Sequence, residues 1–488
     1  MNKKGEFRVE RDQLGEMQIP ATAYWGIKTA RSWEAFPLSG LKPHNKLVEA
    51  SVLVKKAAAL ANADSGRLDT HISRAIAQAA DEVLNGQWHD HFIVHPFQSG
   101  AGIAHNHNVN EVLANRGSEI LGGITGTYTT IHPEDHVNLS QSAHDTYPTA
   151  MRLAILLSLK DFEPVLLDLE RLLRRKSLEF DKIVKVGRTY LKDTAPVTLG
   201  QEFNAYGASI EHSYRRIREA SQSLLEMNIG ASAVGTGINA SPEYITKVHE
   251  RLQTLSGLRL KPVEDFFRLS QSLADFVEFS SSLKELSIEL TKIANDLQLL
   301  NSGPKAGFAE LTLPTIQIEP SIILPGILPD QTNPTMAECV SMVAFQVIGN
   351  DLAITLAAQS GQLELNIMMP MVIHNILSSM DLLKNVVLAF NQRCIAGISA
   401  NTARCRELLE ASNLMAGALV EHLGVKQLTA LIEESRTTGK TLRDLVIGQD
   451  LMTQELWDKT LQQKSLTRPG ILTTVSLSPQ DESSDSTQ

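Results

Sequence analysis

VEDFFRLSQSLADFVEFSSSLKELSIELTKIANDLQLLNS, residues 263–302, lies between Pro262 and Gly303 and contains neither glycine nor proline. Apolar residues recur at Phe266, Leu269, Leu273 and Phe276, then at Leu283, Leu286, Leu290, Ile293, Leu297 and Leu300. Steps of three and four place them on one face of a helix. At ~1.5 Å per residue, an unbroken helix here is on the order of 50–60 Å long. A rod of that length cannot bury its own stripe, so it calls for a helical bundle, shared between copies of the chain.

Working outward, residues 150–180 read as a second long helix, with Pro164 predicting a kink or break. Residues 199–227 form a third, carrying Ile210, Tyr214, Ile217 and Leu224 on one face. Another follows Pro334 with Val340, Val343 and Val347. Strand signals are weak and confined to short pieces near the N-terminus. The fold expected is mainly α, in three domains. They are an N-terminal mixed, mostly helical domain over 1–142, a central long-helix bundle over 143–398 and a small helical domain over 399–475. The Ser/Asp-rich end, 476–488, is expected to be disordered.

The balance of the 488 residues, 43% hydrophobic and 20% charged, is that of a globular protein too long for one core. The net charge of -10 and the lack of a long basic run argue against nucleic acid or an anionic membrane as partner. Three cysteines without a CxxC pair (Cys339, Cys394, Cys405) fit reduced thiols. The opening MNKKGEFRVERDQLG has no apolar core of a signal peptide, and no apolar run approaches the roughly 20 residues of a membrane span. A cytoplasmic location is expected.

Four Gly- and polar-rich segments interrupt the helical pattern. They are QSGAGIAHNHNVNEV (98–112), HPEDHVNLSQSAHDTYPTA (132–150), VGRTYLKDTAPVTLGQEF (186–203) and the stretch from Ser302 to Glu338 that includes IEPSIILPGILPDQTNP. Each resembles a signature block of the aspartase/fumarase superfamily. The opening RVERDQLGEMQIPATAYWGIKTARSWEAF, NIGASAVGTGIN (228–239) and GQLELNIMMP (361–370) are most similar to its aspartase members. The resemblance implies a homotetramer with pooled long helices and active sites assembled from three subunits. It also implies anti elimination: a base removes a proton next to a carboxylate, an aci-carboxylate forms, and ammonia, water or an amine leaves. In the family the base is a serine in a flexible Gly-Ser-Ser loop, and a nearby Lys and Asn bind carboxylate.

Scaffold positions such as Gly100, Gly102, Asn110, Glu111, Asp145, Arg188 and Asn366 match the family pattern, whereas pocket positions do not. Reading forward from Ser302, Gly-Ser-Ser falls on Glu319, Pro320 and Ser321; reading back from Asn333, the serine falls on Pro325. The two differ because this loop is about five residues longer than the family's, a change loops tolerate. Ser321 is one position off and is a substitute base, in a setting weakened by Pro320, which has no N–H, and by Glu319. Gln331 stands where the family has its lysine, and Asn333 matches. Ile103-Ala104 replace Thr-Ser, Ser142-Ala143-His144 replace Ser-Ser/Thr-Asn, and Tyr190 follows Thr189 where His or Gln is usual.

His105, His107 and His144 admit several readings. Three converging imidazoles suit a transition metal, one alone suits proton transfer, and packing with ordinary hydrogen bonds accounts for all three. Tyr190 reads as a donor to a leaving group or as space-filling, and Lys192 as a cation restored near the pocket or, in preference, as a solvated lysine. TTGKT (437–441) lacks the upstream glycine of a P-loop and reads as a turn between helices.

The expectation is an aspartate ammonia-lyase-like lyase that reversibly cleaves a C–N bond in a small amino acid or related carboxylate. Ser321, His144 and Tyr190 are its candidate catalytic residues. Ser142, Thr189, Asn333, Gln331, His105 and His107 are its candidate substrate-binding residues. No cofactor and no metal are expected, and the partners are a small-molecule substrate and three further copies of the chain. The alternative is an inactive homologue serving as a regulatory or partner-binding tetramer.

Overall fold

A computed structural model describes residues 7–461 and 464–468, apart from 99, 262, 317, 321–322, 325–326 and 328–330. The chain opens with an antiparallel hairpin, β1 (Phe7–Asp12) and β2 (Gly15–Pro20), followed by α1 (Ile27–Ala35), α2 (Asn45–Asp64), α3 (Thr70–Leu84) and α4 (Ile103–Ile120). Next come α5 (Ala143–Glu179), a second hairpin of β3 (Val184–Thr189) and β4 (Lys192–Thr198), α6 (Leu199–Ala220) and α7 (Pro242–Ser256). Then follow α8 (Phe266–Gln271), α9 (Ala274–Asn301) and the two-residue strands β5 (Leu311–Thr312), β6 (Ile318–Glu319) and β7 (Gln331–Thr332). The remaining elements are α10 (Thr335–Ala358), α11 (Met369–Arg393), β8 (Ser399–Ala400), α12 (Thr402–Ala411), α13 (Ala416–Thr438), α14 (Leu442–Gly448) and α15 (Gln454–Leu461). The expected disordered tail, 476–488, lies outside the described residues.

The chain divides into two compact units. One comprises residues 1–167, 211–291 and 339–388; the other comprises 168–210, 292–338 and 389–488. In the first, α2, α3 and α4 bury Val48, Val52, Ile76, Val83, Val109 and Leu113 in one core. Alanines at 57, 58, 59 and 61 are wholly buried and let these backbones approach closely. In the second unit, α12 to α15 enclose Leu409, Leu428, Leu431, Leu445 and Trp457, with Val186 of β3 joining the same core. The 437–441 segment is the turn between α13 and α14, closed by Gly439 at φ 73° and a Thr441–Asp444 capping box.

The apolar stripe read from 263–302 is buried from Leu269 to Leu300, but the helix is not continuous. Ser272 is extended (φ -104°, ψ 131°), and its hydroxyl accepts the Ala274 N–H, which starts α9 afresh. A serine hydroxyl competes with the helix for backbone donors, and periodicity does not register that competition. Conversely, α5 runs unbroken through Pro164. Proline in a helix interior costs about 3 kcal/mol, and the burial of Leu153, Ile155, Leu159, Phe162 and Leu166 along the same helix outweighs it. The β3–β4 hairpin was not expected. Its two-residue turn is Tyr190-Leu191 at φ 55° and 58°, positions that glycine and asparagine usually occupy.

Glu310 anchors the second unit. It is fully buried, takes both arms of the Arg188 fork at 3.0 Å, and lies 3.1 Å from Lys185. Lys185 also donates to Glu202 (2.8 Å), and the Arg188 guanidinium stacks 4.1 Å over Phe308. Removing one member of such a pair leaves uncompensated buried charge. Glu310→Ala is expected to lower stability by about 3–5 kcal/mol, read as a shift in the urea midpoint; an unmoved midpoint contradicts the anchoring role.

Candidate active site

The start of α5 is built around one carboxylate. Asp145 is fully buried and accepts the Ser142 N–H at Oδ1 (2.9 Å) and the N–H groups of Gly230 (3.2 Å) and Ser232 (3.0 Å) at Oδ2. It therefore closes the first turn of the helix and ties it to the Gly-rich 228–239 segment. Burial pushes its pKa up to about 7, against the pull of those donors and of the Lys55 cation. Ser142 Oγ accepts the His144 N–H (3.2 Å), and Asn228 donates to the His144 carbonyl (3.1 Å). His144 Nδ1 lies 3.2 Å from the Ala233 carbonyl oxygen. A carbonyl accepts only, so Nδ1 carries the proton in neutral His144 and Nε2 keeps its lone pair.

Beneath this turn lies a polar layer that sequence reasoning did not single out. Lys55, buried on α2, donates to Asn138 Oδ1 (2.7 Å) and Gln141 Oε1 (3.1 Å). Asn106 donates to the same Asn138 oxygen (3.2 Å), and Thr146 donates to Asn106 (3.2 Å). The layer joins α2 and α4 to the turn that presents Ser142. Burial pulls the Lys55 pKa from its ordinary 10.5 down to about 7.

The histidines do not share one ligand-binding geometry. His105 is buried on α4 with Nε2 2.9 Å from Ser51 Oγ and its ring edge-on to Tyr147. Burial, with Lys55 nearby, lowers its pKa to about 4, so it is neutral. His107 Nδ1 lies 3.0 Å from Glu134 Oε1, which also accepts from Lys28 (2.9 Å). Burial raises the Glu134 pKa, but those two partners outweigh it and hold it at about 2. Among the described residues no three His, Cys, Asp or Glu side chains gather as a metal cage requires.

The other candidates belong to the second unit. Thr189 ends β3, its hydroxyl 2.7 Å from that of Thr194. Tyr190, at the hairpin tip, is 97% exposed. Lys192 is exposed on β4, as a solvated lysine would be. At the ends of the lengthened loop Gln331 pairs with Glu319 along the backbone, and Asn333 follows, half-buried. Pro320 is exposed; Ser321 and Pro325 lie outside the described residues.

A family profile described as lyase matches residues 15–349. The chain is 44% identical over 473 residues to the aspartate ammonia-lyase of Bacillus subtilis (strain 168), covering 96% of this chain and 98% of that one. It is 40% identical to the class II fumarate hydratase of Thermosynechococcus vestitus, covering 93% and 96%. The solved structure of fumarate lyase:delta crystallin from Brucella melitensis superposes with a TM-score of 0.88 at 42% identity, covering 93% and 98%.

The unfolded chain binds a proton at Lys55 up to its ordinary pKa, whereas the folded state releases it near 7. Between those two values the unfolded state holds more protons, so stability climbs as pH rises through that window. Urea midpoints at about pH 7 and about pH 9 should show this climb, and Lys55→Met should flatten it. An equal climb in both proteins contradicts the assignment.

Proposed function

Because the chain belongs to the aspartase/fumarase superfamily of lyases, we propose that it is a carbon–nitrogen lyase that eliminates ammonia from a small amino acid. Membership carries the lyase class, and the near full-length identity to aspartate ammonia-lyase favours nitrogen as the leaving atom. The observation that most supports an active site is the start of α5, where Asp145 holds Ser142 and His144 against the 228–239 segment. Such anchoring fixes reacting groups before substrate arrives, which is where much of the barrier is removed.

In this reading Ser142, Thr189, Asn333 and Gln331 are the residues that bind the substrate carboxylate. His144 Nε2 or the Ser321 hydroxyl takes the proton from the carbon next to that carboxylate. Tyr190 donates to the departing nitrogen. His105 and His107, each engaged by Ser51 or Glu134, hold α4 behind the pocket rather than reach the reacting atoms. A neutral Gln331 in place of a cation weakens the grip on a carboxylate, so a substrate other than aspartate fits the changed pocket.

We also propose a cytoplasmic homotetramer. Met342, Phe345, Leu352 and Leu356 are exposed along one face of α10, and Ile288 is exposed on α9. By length and composition α10 is apolar enough to cross a membrane, which the sequence reading did not anticipate. Its Asp351, however, is buried and accepts from Ser280 (2.7 Å), with Lys284 also paired to it. A charged group satisfied mid-helix by α9 favours packing against protein, and further copies of the chain are the natural cover for the exposed stripe. The cysteines are unpaired, as a reducing compartment would keep them.

Purified protein should release ammonia from an amino acid with formation of an alkenoate seen by ultraviolet absorbance. His144→Ala should lower kcat by about a hundredfold or more, with the fold retained by circular dichroism. Light scattering should give four times the mass of the chain. An unchanged kcat in the variant contradicts the role of His144, and a monomer contradicts the assembly.

A further inference from the structure

The wall beside Ser142 is made by two helix starts, α4 and α5, brought side by side. Gly102, at φ 85°, is pressed so closely to the Tyr147 ring that a Cβ would sit 2.4 Å from it. The Thr146–Asn106 hydrogen bond ties the same two helices one turn further on. Helix starts ordinarily attract carboxylates through free N–H groups, but here those groups are largely engaged. The Ile103 N–H donates to Gly100 O, that of His105 to Gln98 Oε1 and that of Asn106 to Gly102 O. On α5 the Ser142 N–H goes to Asp145 and the His144 N–H to Ser142 Oγ.

What the wall offers is apolar. Ile103 leads α4 and is 37% exposed, and Ala143, which leads α5, is buried, at 9%. The cation beneath, Lys55, is buried and committed to Asn138 and Gln141. A second carboxylate placed here loses water and gains neither a cation nor a set of donors. An alkyl or aryl group loses nothing and removes Ile103 from water.

We propose, resting on the ammonia-lyase reading, that the substrate is a β-amino monocarboxylate. Its uncharged substituent packs on Ile103 and Ala143 where a dicarboxylate would place its second carboxylate. The substrate R–CH(NH3+)–CH2–COO− loses a proton from the carbon next to its carboxylate to the enzyme base. That C–H electron pair becomes the C=C bond, and the C–N pair leaves with nitrogen. The abstracted proton then joins the ammonia, giving R–CH=CH–COO− and ammonium. No oxidant or co-reactant is needed.

Isothermal titration of the intact protein with butanoate and with succinate, saturated analogues that cannot eliminate, reads the wall without catalysis. Butanoate should bind at least about tenfold more tightly, and Ile103→Thr, at an exposed position, should shrink that ratio. Assays with 3-aminobutanoate and aspartate should show the same preference in kcat/KM. Succinate binding as tightly or more tightly, or no binding of either analogue, overturns the proposal. A succinate preference accompanied by aspartate turnover overturns it alone and leaves the ammonia-lyase reading standing. A butanoate preference with no ammonia from either amine overturns that reading, and the β-amino assignment with it.

Discussion

The buried carboxylate of Asp145 is the constraint on which the start of α5, and with it the candidate site, depends. Three backbone N–H groups from two distant segments converge on it, so one side chain sets both the first turn of α5 and the path of residues 228–239. Each donor would be left unpaired in the interior without it, at a cost of roughly 1–3 kcal/mol apiece. His144 inherits its placement from the same arrangement. Its backbone lies within the turn, and its ring nitrogen meets a carbonyl of the tethered segment. The imidazole therefore needs no packing of its own to be oriented.

Charged anchors and pocket residues follow different rules in this chain. Glu310 with Arg188 and Lys185, and Asp145 with its donors, are closed systems whose members satisfy one another. Changing any one of them strands a buried charge or donor. Ile103 and Tyr190 carry no such obligations, being exposed, and can change without loss of the fold. Under the proposed reading, that difference accounts for a chain that keeps the superfamily's scaffold residues while its pocket positions change.

The long apolar stripe was legible because burial enforces periodicity, and every position from Leu269 to Leu300 in it is buried. The break at Ser272 was not legible, because a hydroxyl capping Ala274 is a local alternative of similar energy. The β3–β4 hairpin escaped notice because Tyr190-Leu191 is not a turn pair that strand-matching rules look for. Lys55 carried no signal of its own in the sequence, because its partners Asn138 and Gln141 lie far along the chain. The blocks around Gly102, Ser142 and Thr189 were readable as a family signature. Their mutual support, as in the Asn106–Thr146 and Asp145–Gly230 contacts, appears only when distant segments meet.

The most direct test compares the rate of ammonia release by Asp145→Asn with that of the unaltered protein. Asparagine keeps the shape but replaces one acceptor oxygen with a donor, which faces N–H groups and cannot hold both segments. The rate should fall by at least about a hundredfold with the helical content retained. A variant that releases ammonia as fast as the original would contradict the claim that this carboxylate organises the site.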